Sequence, residues 1–250
     1  MSGIGLTMRQ VRYENRAFWR NPAAAFFTFV FPLLFMVIFN VVFANGSPDA
    51  GRFFTPSIIV FGVVTATYTN LAMTVTVARD DGILKRIHGT PLPAVSYLVA
   101  RMIHAALIAL VLVVIVAAFG ALAYDVPVPW DRLPALAITL IVAAATFCAL
   151  GLAIAAVIPN ADAAPAIVNA TILPLFFISN VFFPLQNAPK WIDVISTVFP
   201  VRHFADSMLR IYDPTVTGSG VSPTDVGVMA LWGVIGLVLA LRFFSWEPRR

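Results

Sequence analysis

The sequence offers few side chains that could do acid–base or phosphate chemistry. Its three histidines, His88, His104 and His203, are far apart, and no G-x-S-x-G or H-E-x-x-H pattern accompanies them. Neither of the two lysines follows a G-x-x-x-x-G phosphate-binding pattern. The single cysteine, Cys148, excludes an internal disulfide. We therefore expect neither catalysis nor ATP hydrolysis, and no metal or cofactor site, in this chain itself.

The segment with the most distinctive chemistry is the loop 78–96, ARDDGILKRIHGTPLPAVS. Two acidic residues precede a glycine, apolar residues follow, and basic residues come before a second glycine, which predicts a short helix ending there. Such a helix is unstable alone, so its apolar face needs a surface to pack against, either a protein or the lipid headgroups. The residues concerned are Asp80, Asp81, Ile83, Leu84, Lys85, Arg86, Ile87, His88 and Gly89.

The composition indicates a membrane protein. Of 250 residues, 60% are hydrophobic and 11% charged, against about 45–50% and about 25% in soluble domains, and the mean hydropathy is +0.90. We predict an all-α polytopic protein, a single transmembrane domain over 1–250 with six spans of roughly 20 residues each. The first span is too long for a signal-peptide core. The predicted spans are 24–44, 56–77, 97–121, 134–158, 163–181 and 225–244.

The basic residues set the orientation. With the N-terminus inside, 11 of the 16 Lys and Arg residues fall on the inner face and 5 on the outer one, so both termini and the 78–96 loop are predicted to be cytoplasmic. The basic residues are spread along the chain, which argues against nucleic acid as a partner despite the net charge of +4.

The N-terminal segment 1–23 is predicted to be an amphipathic interfacial helix. Its apolar face contains Ile4, Met8, Val11, Phe18 and Trp19, and its basic stripe contains Arg9, Arg12, Arg16 and Arg20. One interpretation is an anchor on anionic lipid, and the other adds a docking surface for a cytoplasmic partner.

The segment 182–224 is apolar at first but is interrupted by Pro184, Pro189 and Pro200, so it cannot form one helix. We predict two short helices, at 191–198 and 201–212. They form either a re-entrant hairpin or an amphipathic external loop at the interface.

A transport path would be lined by uncharged polar groups, because every acidic residue lies in a loop or at a span end. That distribution argues against an ion-coupled carrier. The alternative for the threonines is a hydrogen bond to their own i−4 carbonyl. The candidate path residues are Thr65, Thr69, Asn70, Thr76, Asn169 and Asn180.

The amphipathic first helix, the six spans, the loop RDDGILKRIHGTPLP and the stretch NVFFPLQNAPKWIDVISTVFPVRHFADSMLR together resemble the permeases of ABC type-2 exporters. The resemblance covers the whole chain and is most specific at 79–93 and 182–210. It implies that the first of these segments forms the coupling helix, with Asp80, Asp81, Gly82, Leu84, Lys85, Arg86, Thr90 and Pro91 as the transmission element.

The resemblance also implies partners. Two cytoplasmic nucleotide-binding subunits would hold ATP and Mg, and two permease chains, identical or different, would pair among membrane lipids in the plasma membrane of a bacterial cell. The cargo would be an amphipathic or hydrophobic compound, drug- or antibiotic-like, exported from the cell. The alternatives are a lipid or glycan-lipid exporter of the same architecture and a membrane scaffold that transports nothing.

Overall fold

The computed structural model describes residues 3–44, 48–88, 94–185 and 189–245, and over these ranges the chain is helical without a β-strand. The all-α prediction is confirmed. A π-helical turn, Thr65–Thr69, joins α3 to α4, and a 3-10 turn, Trp130–Arg132, precedes α7. The helices are α1 Gly3–Trp19, α2 Pro22–Ala44, α3 Pro48–Val64, α4 Asn70–Asp80, α5 Ile83–His88, α6 Ala94–Tyr124, α7 Leu133–Val157, α8 Ala164–Ile178, α9 Lys190–Ser196, α10 Pro200–Tyr212 and α11 Pro223–Phe243.

Five helical stretches in the described part of the chain are long and apolar enough to cross a bilayer, which makes this a multi-pass membrane protein. They are Pro22–Phe43, Ala50–Asp80, Val95–Tyr124, Trp130–Val157 and Pro223–Phe243. The sixth predicted span, 163–181, contains only the 15 residues of α8. At 1.5 Å per residue α8 is about 22 Å long, short of the ~30 Å hydrocarbon core. It ends because Asn180 has a left-handed backbone conformation, with φ of 61°.

Small residues bring α7 close to its neighbours. A Cβ at Gly236 of α11 would lie 2.9 Å from the backbone nitrogen of Leu150, and a Cβ at Gly151 would lie 2.8 Å from the carbonyl oxygen of Tyr68 in the π turn. Glycines at such positions let membrane helices pack backbone against backbone. The helix α7 is therefore in direct contact with both α11 and the π turn.

Candidate functional site: the α4–α5 junction and the α1–α2 cavity

The end of α4 is attached to the end of α7 by Arg79. This side chain is only 1% exposed, and its guanidinium donates hydrogen bonds to the carbonyl oxygens of Ala155, at 2.8 Å, and Ile158. Both carbonyls belong to the C-terminal end of α7, where the helix dipole favours a cation. In the sequence Arg79 counted only as a basic residue of the inner face, and nothing in the sequence pairs it with a segment 76 residues away.

Asp80 strengthens the same junction. Its carboxylate accepts a hydrogen bond from the backbone N–H of Ala161, at 2.9 Å, in the connection between α7 and α8. The expectation that Asp80 and Asp81 begin the short helix is wrong, since Asp80 is the last residue of α4 and Asp81 is its C-cap. Gly82, with φ of 69°, then makes the turn into α5. Glycine adopts this left-handed conformation without the strain of a Cβ.

The short helix predicted after Gly82 is present as α5, but its apolar residues divide between two environments. Leu84 is fully buried within the chain, in a cluster with Leu71, Val75 and Tyr97, whereas Ile83 is 40% exposed. The prediction that Leu84 belongs to a partner-facing surface is therefore wrong, because α4 and α6 already cover it. Lys85 and Arg86 lie at the surface and Ile87 is half-buried. Gly89, Thr90 and Pro91 lie outside the described residues.

The N-terminal helix α1 packs mainly against α6. Val11 and Phe18 are buried there, and Glu14 forms an ion pair with Arg101 of α6, with 3.4 Å between Oε1 and Nε. Ile4 and Met8, predicted on the same apolar face, are exposed. The four basic residues of the predicted stripe are exposed as well: Arg9, Arg12, Arg16 and Arg20. The predicted apolar face is thus divided: Val11 and Phe18 pack on the bundle, whereas Ile4, Met8 and Trp19 are exposed, as is the basic stripe.

The two short helices predicted after residue 182 are present as α9 and α10, and polar contacts attach them to α11. His203 Nδ1 lies 2.6 Å from the Asp225 carboxylate, and His203 Nε2 lies 2.8 Å from the Thr197 carbonyl oxygen. The indole N–H of Trp232 donates to the carbonyl of Val198, at 2.7 Å. The turn between α9 and α10 therefore lies against the interior of α11 rather than at its end.

Arg132, which the sequence did not single out, holds the C-terminal end of α10 and the loop that follows it. Its guanidinium donates to the carbonyls of Arg210, Ile211, Asp213 and Val216. Hydrogen bonds from the hydroxyl and N–H of Thr215 hold the pKa of the Asp213 carboxyl below its usual value. The sequence shows only a single arginine between a predicted external loop and a predicted span, and this does not identify its hydrogen-bond partners.

The six candidate path residues are not brought together. Thr65, Thr69 and Asn70 line one cavity, while Asn169 is exposed on α8. Asn180 has a structural role at the other end of the bundle, where its side chain donates to Asp206, at 3.1 Å, and accepts from the N–H of Leu185, at 2.8 Å. Thr76 is buried and donates to the carbonyl of Ala72, at 2.8 Å.

The self-bonding alternative holds for Thr76 and for three other threonines, each of which donates to a carbonyl four residues before it. These three are Thr67, Thr74 and Thr171.

The cavity that Thr65, Thr69 and Asn70 line has a volume of about 710 Å³. Its walls come from α1, α2, α6 and the α3–π–α4 segment, and Ile83 of α5 also contributes. π-Helical turns are rare and occur often at functional sites. Here the π turn supplies two of the four threonines of the cavity wall, Thr65 and Thr69, so the backbone irregularity contributes to the polar lining.

Several long apolar helices, a short helix fixed against their ends and a cavity between them define a multi-pass membrane protein. Residues 6–212 match the ABC-2 type transporter family, and the chain belongs to that family.

Individual relatives are distant. The chain is 24% identical over 168 residues to the probable multidrug ABC transporter permease YbhR of Escherichia coli (strain K12), a match that covers 67% of this chain and 45% of the relative. It is 23% identical over 242 residues to the putative transport permease YvfS of Bacillus subtilis (strain 168), covering 95% and 96%. It is 24% identical over 239 residues to the putative transport permease ycf38 of Porphyra purpurea, covering 90% and 79%. The match thus spans less than half the length of the Escherichia coli relative.

Proposed function

We propose that this chain is the permease of an ABC exporter in a bacterial plasma membrane. It pairs with a second permease chain, and two separate cytoplasmic subunits bind ATP and Mg and supply the energy. The cargo is an amphipathic or hydrophobic, drug-like compound that moves outward. Family membership and the multidrug name of the Escherichia coli relative support this proposal. The observation that carries this proposal is the attachment of the short, partly exposed helix α5 to α4 and α6, and through α4 to α7 and to the connection leading into α8.

Movement of α5 would be transmitted through packed and hydrogen-bonded contacts. Leu84 is buried between α4 and α6, so α5 cannot shift without them. Arg79 and Asp80 then attach α4 to the end of α7 and to the connection leading into α8. A force applied at Ile83 and its exposed neighbours would therefore reach α4, α6 and α7, and the connection leading into α8. This is the arrangement that a subunit driven from outside requires.

In this proposal α1 and α5 lie in the cytoplasm, which the 11 to 5 distribution of basic residues supports. Cysteines introduced at two exposed positions test it: Lys85→Cys on α5 and Ser219→Cys in the loop before α11. A membrane-impermeant thiol reagent added outside intact cells should label Ser219→Cys and not Lys85→Cys. The reverse pattern would refute both the topology and the coupling role of α5.

The sixth crossing is made by α8 together with a re-entrant α9–α10 hairpin. Trp232, which stacks on Phe199 at 6.0 Å, lies nine residues after the start of α11, so the hairpin turn reaches about 13 Å along that helix. Phe204 of α10 meets Phe147 near the middle of α7, with ring centroids 6.0 Å apart. These contacts favour the re-entrant interpretation over an external loop.

The decisive experiment is substitution of the exposed apolar residue of α5. Ile83→Asp should leave folding and insertion intact, because Ile83 is partly exposed, and should weaken co-purification with the ATPase subunit and reduce export at least tenfold. An apolar side chain buried at an interface contributes about 1.5–3 kcal/mol, whereas an exposed ion pair contributes about 0–1 kcal/mol. Charge reversal at Lys85 or Arg86 should therefore have a smaller effect than Ile83→Asp.

The matched control is Leu122→Asp, the same change at an exposed leucine near the opposite end of α6. It should leave ATPase binding unchanged. Normal co-purification and normal export by the Ile83→Asp variant would show that α5 is not the docking element. Leu84→Asp is unsuitable for this test, since a carboxylate at that buried position would damage the bundle itself.

A further inference from the structure

The lining of the cavity between α1 and α2 is largely apolar, and its ionisable groups lie together. Phe27, Phe31, Phe61 and Met73 are among the apolar residues. Glu14 of α1 and Arg101 and His104 of α6 form the ionisable cluster, while uncharged polar groups of the π turn and α4 lie elsewhere in the wall. The volume of about 710 Å³ falls within the range of about 300–1,000 Å³ typical of small-molecule sites. A ligand that fills this space is therefore largely apolar and carries a polar group that faces the ionisable cluster.

His104 provides a second, independent sign of a ligand. The residue is 9% exposed, and its Nδ1 is buried without a hydrogen-bond partner among the described residues. The imidazole ring meets the Phe18 ring edge-on at 5.8 Å. Buried polar atoms in proteins nearly always have a partner. Because His104 lines the cavity, a small rotation of its ring on binding would bring Nδ1 within reach of a molecule there, which could supply the missing hydrogen bond.

The charges of the ionisable cluster cancel. Arg101 Nε lies 3.4 Å from the Glu14 carboxylate, and the Arg101 guanidinium also sits 4.9 Å above the Tyr97 ring. A charged ligand group would add an uncompensated charge next to this pair, in surroundings that solvate it poorly. A hydroxyl or amide needs no counter-charge and can act as donor or acceptor, so it suits either tautomer of His104.

We propose that this cavity binds a net-neutral amphiphile, whose hydroxyl or amide group hydrogen-bonds to His104 Nδ1 and whose apolar chain or ring system lies among the phenylalanines. This inference rests on the proposed function only where it identifies the ligand with the exported cargo. It touches α1, the π turn and Ile83 of α5, so an occupant contacts the coupling helix directly. A bound molecule would thereby join the α1–α2 side of the bundle to α5.

The test uses the permease alone, in phosphatidylcholine nanodiscs, with 1-dodecanoylglycerol carrying the nitrobenzoxadiazole fluorophore at its chain end. We expect saturable fluorescence enhancement over empty nanodiscs, reversed by unlabelled 1-dodecanoylglycerol. Thr28→Trp fills the cavity from α2 and should weaken binding at least tenfold. The control is Val41→Trp, on the same helix at a position that is 72% exposed and outside the cavity lining, and it should bind like the wild type.

The polar contact has its own variant. His104→Phe keeps an aromatic ring against Phe18 but removes Nδ1, and should weaken binding of the glycerol probe about five- to tenfold, the effect of one hydrogen bond. The same variant should bind the fluorophore-labelled dodecane chain without a head group as the wild type does. Dodecanoate carrying the same label, which adds a negative charge, should bind about tenfold more weakly than the glycerol probe.

Equal weakening by the two tryptophan variants, or equal binding of the glycerol and carboxylate probes, would overturn the proposal and indicate non-specific partition. If Thr28→Trp does not give a monodisperse protein, Thr69→Trp fills the cavity from the π turn and is judged by the same criterion. The nanodisc measurement contains no ATPase subunit, so its outcome does not depend on export. Binding in nanodiscs without ATP-dependent export from vesicles that contain both the permease and its ATPase subunits would contradict the exporter function while leaving the site intact.

Discussion

Two arginines at opposite ends of α7 make similar contacts in different surroundings. Arg79 donates to carbonyls at the C-terminal end of α7, and Arg132, just before α7, donates to carbonyls at the C-terminal end of α10. In both cases a cation satisfies acceptors that a helix end leaves free. Arg79 is almost completely buried and joins α4 to α7, whereas Arg132 is half-buried and holds the loop after α10.

The difference shows that the surroundings, rather than the residue type, decide what such a contact does. The Arg79 contact has no water to replace its hydrogen bonds, so the α4–α7 junction is rigid and can transmit movement from α5. At the Arg132 contact, water can substitute for part of the hydrogen bonding. We therefore expect the Arg132 contact to order only the loop after α10, and the Arg79 contact to stabilise the whole helix bundle.

The largest effect should follow from Arg79→Met, which keeps much of the side-chain volume but leaves the Ala155 and Ile158 carbonyls without their donor. Hydrogen bonds to a charged group contribute about 1.5–3 kcal/mol each, so we expect a loss of about 3–4 kcal/mol in the free energy of unfolding. Thermal unfolding of the purified permease measures it. Arg86→Met, at an exposed position, is the control and should change stability by less than about 0.5 kcal/mol. A similar small change for both variants would contradict the rigid junction.

A smaller, local effect should follow from Arg132→Met. Its four carbonyl acceptors are mostly half-buried, and water can replace part of what is lost, so we expect about 1–2 kcal/mol. Hydrogen exchange should speed up at residues 210–216 and remain unchanged at 155–161. Faster exchange at both segments would mean that the two ends of α7 are coupled and that the Arg132 contact is not a local one.

The smallest expected effect is a pH dependence of the stability of the loop after α10. The folded-state pKa of Asp213 is lowered, chiefly by the Thr215 hydroxyl, so its contribution to stability is present above the unfolded value of about 3.9 and is lost as the pH falls through the folded-state pKa. The protection of the 213–216 amides against hydrogen exchange, measured relative to the intrinsic exchange rate at each pH, should therefore fall on acidification from about pH 5 to about pH 3. Thr215→Val should reduce that pH dependence. An undiminished dependence in the variant would show that another group titrates there.

The local features of the fold followed from the sequence. Apolar runs predicted the long helices, and the proline positions predicted α9 and α10 to within two residues, because these signals act within a few residues of the backbone they shape. The sixth span was overestimated for the opposite reason. An apolar run shows that a segment is buried or lies in lipid, but the left-handed turn at Asn180, held by Asp206, depends on α10.

By itself, then, the sequence determined that this protein lies in a membrane, where its helices fall and which short helix connects α4 to α6. Only the tertiary structure decided which side of α5 is exposed and what Arg79, Arg132 and His104 contact. The six residues of α5 have apolar side chains at 83, 84 and 87, and the packing of α4 against α6 determines that Leu84 points inward. The acceptors of Arg79 lie 76 and 79 residues further along the chain, and they come within reach of its guanidinium only because α4 and α7 pack together.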